Sequence, residues 1–154
     1  MLVSPPKVPV RLPGDEETLG EIINGMTMHN VVQFVSTAVS TICLGFGAST
    51  ASYILVEGEY KKCVAFSHAR IVIHQSSATF TFTDEKQGVA ILFSELEELV
   101  AVRETITKGY SERTGKPVWI ISQDMERDFL MSATEVKAYE IVDLIKGISK
   151  KQNI

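Results

Sequence analysis

The sequence predicts an α/β fold, and three observations carry that prediction. Short β-branched runs such as "STICL", "CVAF" and "RIVI" alternate with longer segments whose apolar residues recur at helical spacing. Glycine, proline and polar clusters punctuate the chain between those segments. A length of 154 residues, with 45% hydrophobic and 22% charged residues, suits one soluble domain with a sizeable core.

Taken in order, Pro5, Pro6, Pro9 and Pro13 mark residues 1–17 as an extended arm that ends in the acidic turn "GDEE". A helix is expected from Gly25 through "GMTMHNVVQFV", with Val31, Val32, Phe34 and Val35 on its apolar side. "VSTICLGFG" reads as one buried strand, and "STASYILVEG" as a helix closed by Gly58. Where strand hands over to helix, Gly45, Gly47, Ala48, Ser49, Thr50, Ala51 and Ser52 are nearly all small. Such residues serve close packing, or they let a substrate backbone approach a hydroxyl placed at a helix N-terminus.

"KKCVAF" and "ARIVIHQ" read as two strands around a turn at Ser67 and His68. In the second, Ile71 and Ile73 share one face, and Arg70, Val72 and His74 the other. The longest helix should run from about Asp84 to Arg113, with Asp84 and Gln87 in capping-box spacing and Gly115 as its left-handed stop. Pro117 suits the first turn of a helix "PVWIIS". Ser132 and Glu135 form another capping-box pattern, opening a helix through Tyr139, and "EIVDLI" reads as the last strand. Residues 147–154 form a basic tail.

A net charge of −4 gives no electrostatic footprint for nucleic acid. No apolar run approaches the roughly 20 residues of a membrane helix, so neither nucleic acid nor membrane is an expected partner. The N-terminal segment lacks the apolar centre of a signal peptide and the Arg and Ser of a transit peptide. Cys43 and Cys63 lie in apolar surroundings without CxxC spacing, which reads as reduced, buried thiols.

For chemistry, a serine nucleophile needs a histidine, a carboxylate to orient it and donors for the oxyanion. The chain has three histidines. His29 reads as a solvated helix residue and His68 as a turn residue, whereas His74 ends a strand, where α/β folds place functional side chains. Ser49 precedes a helix and could equally be a plain N-cap. The segment "SQDMERDFLMS" offers Asp124, Glu126 and Asp128, and pattern alone does not choose among them.

"TICLGFGASTASYILVEGE", "KKCVAFSHARIVIHQ" and "RETITKGYSERTGKPVWIISQDMERDFLMSATEVKAYEIVDLI" together resemble the proteolytic subunits of the ATP-dependent Clp protease (peptidase family S14). The arm "PPKVPVRLPGDEE" resembles the plastid-encoded type. The resemblance implies a Clp protease/crotonase-like fold over residues 18–146, with a handle helix at about 84–113. It implies Ser49 as nucleophile, His74 as base and Asp128 as orienting acid, with the Gly20 and Thr50 N–H groups as oxyanion donors. No metal and no cofactor are implied in this subunit, since ATP is used by a partner chaperone. The implied partners are other Clp subunits in stacked heptameric rings, that chaperone, and unfolded protein substrates, in the chloroplast stroma of a plastid. An exposed stripe at Leu92, Phe93, Leu96 and Leu99 is implied for the handle in an isolated subunit.

The sequence also departs from that family. Glu17-Thr18-Leu19-Gly20 stands where the family has an S-P-G-G turn, and Thr50 stands at a methionine position. Ser67 and Ser76 replace prolines of the plastid type. A helix and the first strands that the family carries before Gly20 are missing, so the fold is expected to be truncated at the N-terminal side of its sheet, leaving "VSTICLG" with an exposed apolar edge. Two other readings remain open. One is a catalytically silent structural subunit or non-functional truncated product of the same family, and the other an acyl-CoA-binding enzyme of the crotonase fold.

Overall fold

A computed structural model describes residues 19–74 and 85–147, with side chains described over 24–74 and 96–147. The chain enters as helix α1 (Leu19–Phe34), followed by strands β1 (Thr41–Cys43) and β2 (Phe46–Ala48) and the short helix α2 (Thr50–Val56). Strands β3 (Cys63–Phe66) and β4 (Arg70–Ile73) come next, then the long helix α3 (Glu85–Thr114) and helix α4 (Val118–Met125). Strand β5 (Phe129–Ser132), helix α5 (Ala133–Ala138) and strand β6 (Leu144–Lys146) complete the described chain.

These strands form two sheets of three. One has the order β1-β3-β6, with both pairs parallel. The other has the order β2-β4-β5, parallel between β2 and β4 and antiparallel between β4 and β5. The run expected as a single strand, "VSTICLGFG", is therefore two. After Cys43 the chain bends at Leu44-Gly45 and crosses to the second sheet, where the Gly45 carbonyl accepts the Arg70 N–H at 2.8 Å.

The core forms where α2 is enclosed. Its Thr50, Ser52, Tyr53, Ile54, Leu55 and Val56 are all buried, which is the behaviour of a helix covered on every side. Ile71 and Ile73 from β4 are fully buried, as the alternation predicted, and Tyr110, Ile121, Met125, Met131 and Ile141 complete the packing. Cys43 and Cys63 are free and buried, and burial raises both thiol pKa values.

Helix boundaries follow the expected signals with three corrections. Gly115 takes φ +68 after α3, Pro117 sits just before α4, and Ser132 with Glu135 makes the full capping box of α5. The expected cap at Asp84 lies outside the described residues, as do the arm and residues 148–154. As a first correction, α1 begins at Leu19 and not at Gly25; Thr18 and Glu21 have capping-box spacing in the sequence, a start signal for the earlier boundary. A second is β5, a strand not expected from the sequence, which forms because β4 offers it an antiparallel partner. The third is the last strand, expected over "EIVDLI". Glu140 and Ile141 instead close α5 through bonds to the Lys137 and Val136 carbonyls, and β6 starts at Leu144.

Strand β1 pairs only with β3 among the described residues, and its Ile42 at 36% and the following Leu44 at 59% are exposed. The expected bare edge is present. Along α3, Leu96 is 39% exposed and Leu99 half-buried, while the side chains of Leu92 and Phe93 lie outside those described.

The last turn of α3 is pinned to the first sheet by a mostly buried ion pair. Arg113 Nη2 lies 2.6 Å from Asp143 Oδ2, and the same oxygen accepts the Cys63 N–H at 2.9 Å. Removing one member strands the other in a site where the two side chains are only 10% and 15% exposed. Asp143→Ala is expected to cost about 3 kcal/mol, read from the denaturant midpoint at unchanged slope.

Candidate active site

Ser49 occupies the single residue between β2 and α2, with φ 53° and ψ −128°. A non-glycine residue reaches that region only where its surroundings impose it, at a cost on the order of 1–3 kcal/mol. A strained serine on a sharp strand-to-helix turn is the local geometry of a nucleophile elbow. The competing reading, an ordinary N-cap, fails on one point: Ser49 makes no side-chain capping bond to α2. Its carbonyl accepts the Ser52 N–H at 3.1 Å and the Tyr53 N–H at 3.2 Å, which fixes the start of the helix.

Strand register brings the other candidates to the same place. In the β2–β4 pair Ala48 lies beside Val72, so one further step puts Ser49 beside Ile73, next to His74. In the β4–β5 pair Ile73 lies opposite Phe129, so one further step puts His74 opposite Asp128. Ser49, His74 and Asp128 thus flank one end of this sheet, each one residue beyond its strand, with β4 in the middle.

Register also separates the three carboxylates that sequence left equivalent. Asp124 accepts a hydrogen bond from the Tyr139 hydroxyl at 2.7 Å and lies 3.6 Å from Arg127. Burial, with help from Asp124, pushes the Tyr139 phenol up, so it stays a donor. Glu126 turns toward Arg103 at 3.9 Å. Asp128 is exposed and immediately precedes β5, whose Phe129 pairs with Ile73, the neighbour of His74.

The other two histidines lie elsewhere. His68 is exposed in the β3–β4 turn. His29 corrects its expected solvated position, because α1 turns it toward α2. Its side chain is 14% exposed, its ring centroid is 5.1 Å from that of Tyr53, and Nδ1 is 3.3 Å from Glu57 Oε2. The Gln33 amide bonds the same carboxylate.

Gly20 was expected in a turn following a strand, and it is instead the second residue of α1. N–H groups in a first helical turn have no intrahelical acceptor, so this one retains donor capacity. Helix α1 crosses directly over the Ser49 turn at Gly25, where an added Cβ would fall 2.7 Å from Thr50 Cβ. Two buried hydroxyls that sequence reading passed over, Ser52 and Tyr110, meet beneath the same turn. Their one sequence signal was a polar residue at each of two apolar-face positions. Among the described residues, no cluster of three His, Cys, Asp or Glu side chains could hold a metal ion.

Residues 18–148 match the Clp protease family. The chain is 52% identical over 126 residues to an "ATP-dependent Clp protease proteolytic subunit" of Lobularia maritima, covering 82% of this chain and 62% of the relative. It is 53% identical over 126 residues to "Chloroplastic ATP-dependent Clp protease proteolytic subunit 1" of Arabidopsis thaliana, with the same 82% and 62% coverage. The Nasturtium officinale protein of the first name is 52% identical over an equal span. The chain spans about 62% of the length of these relatives.

The contact at Gly25 generates an expectation. Thr50 Cβ is fixed by a buried backbone, so Gly25→Ala must push α1 away from the Ser49 turn. A loss of about 1–3 kcal/mol is expected on overpacking grounds, measured as a lower denaturant midpoint. Asn24→Ala, at an exposed position of the same helix, should leave the midpoint nearly unchanged.

Proposed function

The chain belongs to the Clp protease family, and we propose that it is a proteolytic subunit of the ATP-dependent Clp protease acting as a serine endopeptidase. Ser49 is the nucleophile, His74 its general base and Asp128 the group that orients His74. The observation that supports this most directly is the common end of β2, β4 and β5, which a strained serine, a histidine and a carboxylate flank, each one residue beyond its strand. The 53% identity to a chloroplastic proteolytic subunit supports the same reading and a plastid location, and within the plastid the proposed compartment is the stroma.

In this mechanism the Ser49 hydroxyl attacks the scissile carbonyl while His74 takes its proton. Asp128 holds the ring in the competent tautomer and stabilises the imidazolium. The Thr50 N–H, with Gly20 as second donor, receives the charge that develops on the carbonyl oxygen. His74 then protonates the leaving amine, and water clears the acyl-enzyme by the reverse sequence. The subunit works without a metal or cofactor of its own. Its partners are further Clp subunits in stacked heptameric rings and an ATP-driven chaperone that delivers unfolded protein. The exposed β1 edge and the partly covered α3 stripe support a chain that buries apolar surface against such neighbours.

A fluorophosphonate probe with mass-spectrometric mapping tests the assignment. Wild-type protein should label at Ser49, Ser49→Ala should not label, and His74→Ala should label about 10²–10⁴-fold more slowly. Equal labelling of wild type and Ser49→Ala would overturn the assignment, and so would a silent wild type. Turnover of a fluorogenic peptide by the isolated chain should be low, because Gly20, the proposed second donor, lies in helix α1 and not in a turn after a strand. Losing one oxyanion donor lowers kcat by about 10²–10³.

A further inference from the structure

We propose that Ser52 and Tyr110 are positioning residues for the reaction, holding the peptide plane between Ser49 and Thr50 so that its N–H stays aimed at the oxyanion. The inference rests on the reading of Ser49 as nucleophile and adds to it two residues outside the triad.

The geometry is a buried relay. The Tyr110 hydroxyl, on α3, donates to Ser52 Oγ at 2.9 Å. Ser52 Oγ in turn donates to the Ser49 carbonyl oxygen at 2.6 Å. That carbonyl also accepts the two backbone N–H groups that start α2, so three donors converge on it. Ser52 and Tyr110 are 0% and 1% exposed, so water does not compete for either hydroxyl. Burial raises the Tyr110 phenol pKa, which keeps it protonated and donating.

The consequence follows from peptide geometry. The Ser49 carbonyl and the Thr50 N–H belong to one planar trans unit, so they point in opposite directions. The three donors to that carbonyl, all from α2, hold it along the axis of that helix, which directs the Thr50 N–H out of the helix N-terminus, where an oxyanion can be received. At φ 53° and ψ −128° the Ser49 turn is strained, and rotation of this plane is the natural way for that strain to relax. The relay opposes that rotation. It also acts through Ser52, so removing Tyr110 alone should matter less than removing the Ser52 hydroxyl.

Three proteins separate this role from simple packing: Ser52→Ala, Tyr110→Phe and the double variant, each compared with wild type. Tyr110→Phe keeps the ring volume and preserves a testable protein if Ser52→Ala folds poorly. Fluorophosphonate titration first counts competent Ser49 sites, and every rate is expressed per titrated site. Ser52→Ala is expected to label about 10-fold more slowly, a fraction of the ~10²–10³ effect of losing a donor outright. Tyr110→Phe should fall about 3-fold, and the double variant should match Ser52→Ala, since the tyrosine acts through the serine. With a fluorogenic peptide, kcat should fall while KM holds. A peptide boronate, which mimics the tetrahedral state, should weaken in parallel with kcat/KM.

A merely structural role would lower the number of titratable sites and leave the rate per site unchanged, and that result would overturn the proposal. Equal falls in boronate and substrate binding would overturn it as well. If wild-type protein fails to label while Ser49 is intact, the nucleophile reading itself has failed and the positioning role falls with it. Normal wild-type labelling with unaltered variants rejects the positioning role alone.

Discussion

Helix α2 has almost no face toward solvent, and the geometry around Ser49 depends on that enclosure. Seven residues are too few to hold a helix by themselves. Its shape comes from what surrounds it. Helix α1 approaches through Gly25 against Thr50, and α3 approaches through Gly109, where a Cβ would meet the Tyr53 ring. Both neighbours come close because each gives up a side chain at the crossing. A serine at φ 53° persists only when its surroundings overdetermine it, and here the short helix is clamped at its first residue and at its middle.

The other two site residues derive their position from a separate part of the chain. β4 is the central strand of its sheet, and its inward residues Ile71 and Ile73 are completely buried. Its partner β5 arrives only after α3 and α4 have been laid down, so the pairing of Ile73 with Phe129, the neighbours of His74 and Asp128, is long-range. Asp124 illustrates the alternative fate of a nearby carboxylate. It is taken up by Tyr139, which ties the end of α4 to the end of α5. The sheet, and not the local motif, therefore distinguishes a structural acid from one opposite the histidine.

That division explains what could be read from the sequence. Capping and turn signals are local chemistry, so Gly115, Pro117 and the Ser132–Glu135 box marked their boundaries well. The alternation in "RIVI" reported burial of one face directly, because β4 is packed on that side. β5 carried no such pattern. Phe129 is half-buried, Leu130 exposed and Met131 buried, and its strand character comes from pairing with β4. The split of "VSTICLGFG" was hidden for a related reason: the two halves look alike, and their partners, β3 and β4, lie further along the chain. Ser49 and His74 were legible as a small-residue turn and a strand end. Choosing Asp128 by residue pattern required a register that sequence does not contain, and the Tyr110–Ser52 contact joins residues 58 apart.

The exposed apolar surface is unevenly distributed, and this sets the two halves of the site apart. Val31, Phe34 and Val35 near the end of α1, with Ile42, Leu44 and Phe46 along β1 and β2, lie on the first-described elements. Those elements pack Ser49 from one side. His74 and Asp128 are carried instead by strands backed by Met131, Val136 and Ile141, the densest part of the core. Local opening begins where few apolar contacts hold an element down. By that rule the segment from α1 to β2, rich in exposed apolar residues, is expected to open first, and Ser49 is the site residue next to it. The tie from α3 through Tyr110 and Ser52 matters for this reason. It holds the Ser49 carbonyl from the well-packed side, independently of α1 and of whatever covers the β1 edge.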